Sequence, residues 1–284
     1  MKVDAVVSLK ADHRLEVLLD VAGLARSTFF YHQARRHAPD PNAEIKAAIT
    51  DAFERGHGRY GHRRIHQLLV RAGWRVAKKT VLALMRTLSL VCRVRRKKRY
   101  TSYQGPVGAV AANLLDRDFT ADAPNRKWVT DVTEFRVGDQ KLYLSPIMDL
   151  FDRQIIAYTL GRSPSLELTN SSLRAALATV DDGKNLLVHS DQGFQYQHSS
   201  WRQLLADSVA TQSMSRKANC YDNAVMENFF GHLKEEVFHH TRYLDIEALS
   251  TALDDYIHWY NTERISTKLE GLSPVQYRAQ ALAA

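Results

Sequence analysis

Three acidic residues, each set in a different local pattern, constrain this chain more than any other feature. Asp131 sits in the alternating string WVTDVTEF, Asp191 follows the apolar run in NLLVHSDQGFQY, and Glu227 lies in NAVMENFFGHLKEE, which has helical periodicity. Asp191 and Glu227 are separated by 35 intervening residues. Two strands and a helix that bring carboxylates to one point require a sheet with a helix packed against it, and hence an α/β domain. Such a cluster suits hard divalent cations. Magnesium takes oxygen ligands in octahedral geometry and keeps positions open for water or phosphate oxygens. Two such ions about 3.5–4 Å apart stabilise the attacking and leaving oxygens of an in-line phosphoryl displacement.

The residues around Glu227 divide cleanly. At 100° per residue, Asn223, Gly231 and Lys234 fall within about 40° of Glu227. Val225, Met226, Phe229, Phe230, Leu233 and Val237 fill a separate apolar arc. Lys234 lies roughly 10 Å along the axis from Glu227, too far to pair with it, and suits a DNA phosphate running past the metals. Asp131 has two rivals in IMDLFDRQ. Asp152 reads as a turn residue, and Asp149 as a mid-strand residue that can face the same cleft. His189 and Ser190 lack the partners of a nucleophilic site. His57, His62 and His66 have no nearby Cys pair, so surface or DNA-contacting roles outweigh zinc binding. Cys92 and Cys220 form neither a disulfide framework nor a zinc site.

Charge is informative once the chain is divided. Residues 1–100 carry 22 Lys and Arg against 8 Asp and Glu, whereas the remainder carries 17 against 23. A basic front half on an acidic back half points to a polyanion held by the front. Arg93, Arg95, Arg96, Lys97, Lys98 and Arg99 put six cations within seven residues, a block that repels itself unless something neutralises it. There is no run long enough to span a membrane and no signal-peptide pattern at the start, so the expected compartment is the cytoplasm.

The front half reads as helical. Residues 13–33 form two short helices broken at Gly23, with Ser27 as a possible cap. Residues 44–55 form another. A helix-turn-helix follows, with helices at 62–71 and 78–88 around Ala72-Gly73-Trp74. Leu68, Leu69, Val81, Leu82, Leu84 and Met85 pack between them, leaving Arg63, Arg64, Arg75, Lys78, Lys79 and Arg86 outside. Basic residues near the start of the second helix suit a DNA major groove. Residues 100–124 have the Gly, Pro and Ser content of a linker. Strands at 128–137, 141–150 and 154–160 then form a meander, followed by alternating helices and strands and a long helix over 245–260. The organisation expected is an N-terminal helical segment (1–40), a helix-turn-helix DNA-binding domain (41–99), a linker (100–124) and an α/β catalytic domain ending in a helix (125–284).

The strings PNRKWVTDVTEF, NLLVHSDQGFQYQ, QSMSRKANCYDNAVMENFFGHLKEE and YNTERISTKLEGLSPVQYR resemble the second-frame (OrfB) transposases of the bacterial IS-three insertion-sequence family, relatives of retroviral integrases. YGHRRIHQLL and VAKKTVLALMRTLSL resemble that family's helix-turn-helix segment. The resemblance runs from about Arg26 to Arg278. It implies an RNase H-like domain in which Asp131, Asp191 and Glu227 bind two Mg2+ ions, with Mn2+ able to substitute. It matches Lys234 to a basic residue seven places after the Glu, and Tyr260, Asn261 and Arg264 to a Tyr-Asn-x-x-Arg segment. Lys234, Arg264, Arg63, Arg64, Lys78, Lys79, Arg95, Arg96, Lys97 and Lys98 are the expected DNA contacts. The implied substrates are the element's terminal inverted repeats and target double-stranded DNA. A homo-oligomer on DNA and a first-frame (OrfA) partner or fusion are the implied assemblies, and a circular intermediate the implied route. Ala218 stands where many members have Gly, and Ser266 where many have His. A DNA-binding regulator with a dead catalytic domain and a nuclease that cuts without joining are the competing readings. The intact triad opposes the first, and the basic front half the second.

Overall fold

The structure is a computed structural model that describes residues 2–35, 39–92, 110–180, 183–216 and 220–283. The cationic run with Arg95, Arg96, Lys97 and Lys98 lies outside the described residues, as does Ala218. The chain divides into two compact units, Met1–Asp51 and Ala52–Ala284. The division falls inside helix α4 (Ala43–Arg55), whereas the texture of the sequence put boundaries near residue 40 and across 100–124.

The first unit contains α1 (Lys2–Leu9), α2 (Leu15–Ala22) and α3 (Arg26–Arg35). Val6, Leu19 and Phe29, one from each helix, form its small core. Gly23 ends α2 in the left-handed region at φ 59°, with its N–H donating to Asp20 O, the usual glycine stop. Ser27 lies inside α3 rather than capping it, and α1 has no counterpart in the sequence expectation.

In the second unit, α5 (His62–Arg71) and α6 (Lys78–Thr87) form the helix-turn-helix and bury Ile65, Leu69, Val81, Leu84 and Met85 between them. The mixed sheet comprises β1 (Lys127–Thr130), β2 (Thr133–Val137), β3 (Gln140–Asp149), β4 (Ile155–Gly161), β5 (Leu187–Ser190) and β6 (Thr211–Met214). Its order is β2-β3-β1-β5-β6, with β4 also paired to β3. The helices are α7 (Leu166–Leu177), α8 (Phe194–Gln197), α9 (Ser199–Asp207), α10 (Ala224–Leu233), α11 (Ile246–Thr262) and α12 (Pro274–Leu282). α10 runs into a π-helical turn, Lys234–Phe238.

Side chains alternate across β3, as the pleat requires. Ser145 bonds Ser172 of α7 on one face, while Met148 lines a cavity with Phe229 and Tyr260 on the other. Trp128, Ile147, Val188, Leu173 and Trp201 form the α7/α9-side core. Residues 110–115, read as part of a linker, run against β6. Leu114 N donates to Ser213 Oγ, Met214 N donates to Ala112 O, and Leu115 is buried. That covers a sheet edge.

The helix-turn-helix is joined closely to the C-terminal part of the second unit. Tyr60 stacks on Trp259, donates to Glu263 O and accepts from Ile265 N, while Arg71 donates to Gly271 O. Gly271 has φ 80°, and a Cβ there would meet Gln67. Ser273 and Gln276 form a reciprocal capping box that starts α12 at Pro274.

Candidate active site

The first meander arm is a single hairpin partner of β3, interrupted at the acidic residue. Thr130 pairs with Ile147 and Thr133 with Leu144, so Asp131 lies opposite Pro146. Proline has no N–H to give the ladder, and a sheet is readily broken there. Past that break the Val132 N–H donates to Asp131 Oδ1 at 2.7 Å. β5 runs parallel to β1 as its neighbour, each β1 residue paired with the residue 60 positions later (Lys127 with Leu187, Val129 with His189). That register, continued, brings Asp131 level with Asp191, past the same ends of strands spaced about 4.8 Å apart. Asp191 Oδ1 accepts from Gly193 N at 2.9 Å.

Glu227 arrives on α10, whose Met226, Phe229, Phe230 and Leu233 are buried. Asn223, which caps that helix, donates to Asp131 Oδ2 at 3.0 Å and so ties the helix start to the first carboxylate. Burial and the neighbouring Asp191 charge push the Asp131 carboxyl well above the usual carboxylate range. The Val132 N–H opposes this, Glu227 adds to it, and Lys234 lowers it. Burial also raises Asp191, against the Gly193 N–H. Three half-buried acids in electrostatic contact favour a cation that would relieve them. Among the described residues no three His, Cys, Asp or Glu side chains are arranged as a ready-made ligand set. An ion held by all three carboxylates would therefore need a side chain to turn or a water to bridge. The donor set, all carboxylate oxygen with a buried Asn223 Oδ1 that has no partner among the described residues, matches a hard divalent ion.

The other sequence candidates separate. Lys234 begins the π-helical turn, with Nζ 5.3 Å from the Phe135 ring centre, and its charge acts on Asp131. Arg63, Lys78 and Lys79 are exposed on the helix-turn-helix. Arg64 is not on that outer surface. Its guanidinium turns inward over Tyr60, 3.8 Å from Glu236. Arg264 corrects a second expectation. It is buried, with Nε and Nη2 donating to Glu236 at 2.9 and 2.7 Å, so its hydrogen-bonding fork is spent inside the protein. Asp149 and Asp152 are buried and both accept from Arg278. His189 lies within 2.8 Å of Ser213 Oγ and 3.1 Å of Ser215 Oγ, and burial pushes its pKa down to about 4. Ser190 Oγ donates to Asp191 O rather than to a base. His57 packs on Trp259, and His66 contacts Val76 O.

Two residues were missed. Asn223 was visible only as a neighbour on the Glu227 face of the helical wheel. Tyr196, five residues after Asp191, is fully buried. Burial first, then the charges of Asp131 and Asp191, push its hydroxyl well above the usual tyrosine range.

Residues 121–220 and 227–282 match models described as integrase core domain, and residues 40–98 match an HTH-like domain. The putative transposase InsK for insertion sequence element IS150 of Escherichia coli K12 is 44% identical over 272 residues, covering 96% of each chain. The transposase InsF for insertion sequence IS3A of the same organism is 31% identical over the whole of both chains. The chain belongs to the IS3 family of insertion-sequence transposases. The transposase thus carries an integrase core domain behind a helical HTH-like domain. The HTLV-2 integrase catalytic core domain in complex with magnesium is 18% identical, with a TM-score of 0.44, over 55% of this chain and 98% of that one. No described helix is long and apolar enough to cross a membrane.

Proposed function

We propose that the transposase cuts DNA at the ends of its insertion sequence and joins the freed 3′-hydroxyl to a second phosphodiester, using Asp131, Asp191 and Glu227 to hold two magnesium ions. Manganese is expected to replace them. The observation that carries this reading is the β1/β5 register, which levels Asp131 with Asp191 while Asn223 links Asp131 to the Glu227 helix. When bound, such ions lower the pKa of the attacking oxygen and neutralise charge on the phosphate oxygens.

The protein's own groups fix the carboxylates. The Val132 N–H and the Asn223 amide each hold one oxygen of Asp131, and the Gly193 N–H holds one of Asp191. Pre-set carboxylates lose little freedom when a ligand arrives. Lys234 offers a cation to the strand beside the cluster. Arg63, Lys78 and Lys79, together with the cationic run at 93–99, grip the duplex. The terminal inverted repeats are the ends recognised, copies of the chain assemble on DNA, and a first-frame partner joins it in the cell's cytoplasm.

Asp191→Asn tests this. Cleavage of end-bearing oligonucleotides and strand transfer of pre-cut ends should both disappear while binding to the ends survives. Joining that persists in this variant overturns the assignment.

A further inference from the structure

A cavity of about 460 Å³ opens on another flank of α10, lined by its Asn228 and His232. These lie roughly 100° and 140° around the helix from Glu227, so the cavity faces away from the carboxylate cluster. Arg64, Arg153, Arg264 and Lys268 also line it, and among the described residues no Asp or Glu does. The one acid shared by Arg64 and Arg264 is Glu236, which stands behind them.

Arg153 is the informative member. It occupies the β3–β4 turn at φ 67°, a left-handed conformation that a non-glycine residue adopts at a cost. Its Nη2 donates to Phe119 O at 2.7 Å, which fixes the guanidinium. Its Nη1 is shut off from solvent and has no hydrogen-bond partner among the described residues. The acids nearest it, Asp149 and Asp152, are engaged by Arg278. Burial pulls the pKa of both Arg153 and Arg64 down, as desolvated cations without full compensation require. A buried charged donor left unmatched calls for an explanation, and an anion in the cavity supplies one once the Arg153 side chain turns toward it. The volume lies in the range of roughly 300–1,000 Å³ typical of small-ligand sites, with Tyr260 as an aromatic wall.

We propose that this cavity is a phosphate site separate from the carboxylate cluster, in which Arg153, Arg64 and Lys268 hold the phosphate group of a DNA strand or of a free nucleotide. Arginine supplies a planar fork suited to phosphate oxygens, and Lys268 at the exposed rim supplies a point charge.

The test uses the full chain and two measurements. One is equilibrium dialysis against radiolabelled inorganic phosphate, with deoxyadenosine monophosphate as competitor. The other is the dependence of duplex-DNA affinity on salt. Arg153→Gln and Lys268→Ala should each weaken phosphate binding about tenfold or more, while Asp191→Asn leaves it intact. A strand phosphate in the cavity also makes the slope of log affinity against log salt shallower by about 0.9 in each variant. Loss of phosphate binding with an unchanged slope assigns the site to a free nucleotide or phosphate. If Arg153→Gln does not fold, Lys268→Ala decides, since its side chain lies outside the core. Phosphate binding and salt slope both unchanged from wild type overturn the proposal.

Discussion

Two carboxylates on one continuous helical run, Glu227 on α10 and Glu236 in the π-helical turn after it, belong to opposite kinds of cluster. Burial pulls the Glu236 carboxyl up, but the Arg264 charge and fork, the Arg64 charge and the Tyr256 hydroxyl bring it below the usual range. This acid is fully answered by the protein. Glu227 instead adds its charge to Asp131, which burial and Asp191 already push well above the usual range. Lys234 offsets that repulsion without reversing it. One cluster supplies its own counter-charge and holds the fold together; the other has a charge deficit that a cation from outside can fill.

The largest expected effect separates the two clusters. Asp131→Asn should lower strand transfer by about 10³-fold or more, equivalent to ~4 kcal/mol of transition-state stabilisation, with little change in urea stability. Breaking the other cluster should do the reverse. Arg264→Ala removes the two shortest charged contacts of buried Glu236, leaving the Arg64 charge at 3.8 Å and the Tyr256 hydroxyl, and urea denaturation should show a loss of about 3 kcal/mol. Pairing Arg264→Met with Glu236→Leu should recover part of it, because apolar residues of similar volume remove the stranded charge. If Arg264→Ala proves as stable as wild type and fails only in DNA binding, the sequence reading of Arg264 as a DNA contact returns.

A third acid sharpens the contrast through pH. Asp222 has Arg216, Arg117 and Asn113 as hydrogen-bond donors, and despite burial the two arginines hold its carboxyl far below the usual range. A depressed folded pKa means that stability is present above the unfolded value of about 3.9 and is lost as pH falls below it. Asp222→Asn should therefore flatten the acid side of the stability curve below about pH 4, measured by denaturant titration at successive pH values. The smallest effects belong to the exposed cations. Lys78→Ala and Lys79→Ala should each reduce the salt slope of DNA binding by about 0.9 if the residue meets a phosphate, and leave the slope unchanged if it does not.

Much of this was legible in the chain because it is local. Periodicity marked α5, α6, α10 and α11, and alternation marked the meander. The three acidic strings stood out because each sits at the end of a strand or on a helix face. Other features were not legible, because they depend on side chains meeting across long separations. Nothing near Arg264 announces Glu236, 28 residues earlier, and nothing near Arg64 announces that it turns toward the same acid. Conserving charge on a helix wheel does not say which cations face inward. The break at Asp131 needed the register, since only pairing shows Pro146 opposite it. α12 was legible and overlooked, because Ser273-Pro274 followed by Gln276 is a capping signature.

The central claim is that the deficit at Asp131, Asp191 and Glu227 is filled by divalent metal. Anomalous diffraction from crystals of the transposase grown with manganese tests it most directly. The account predicts a peak at about 2.0–2.2 Å from carboxylate oxygens of both Asp131 and Asp191, with Glu227 turned toward the same or a second ion, and no peak at Glu236. Manganese bound elsewhere, with the three carboxylates left without it at saturating concentration, would contradict the account.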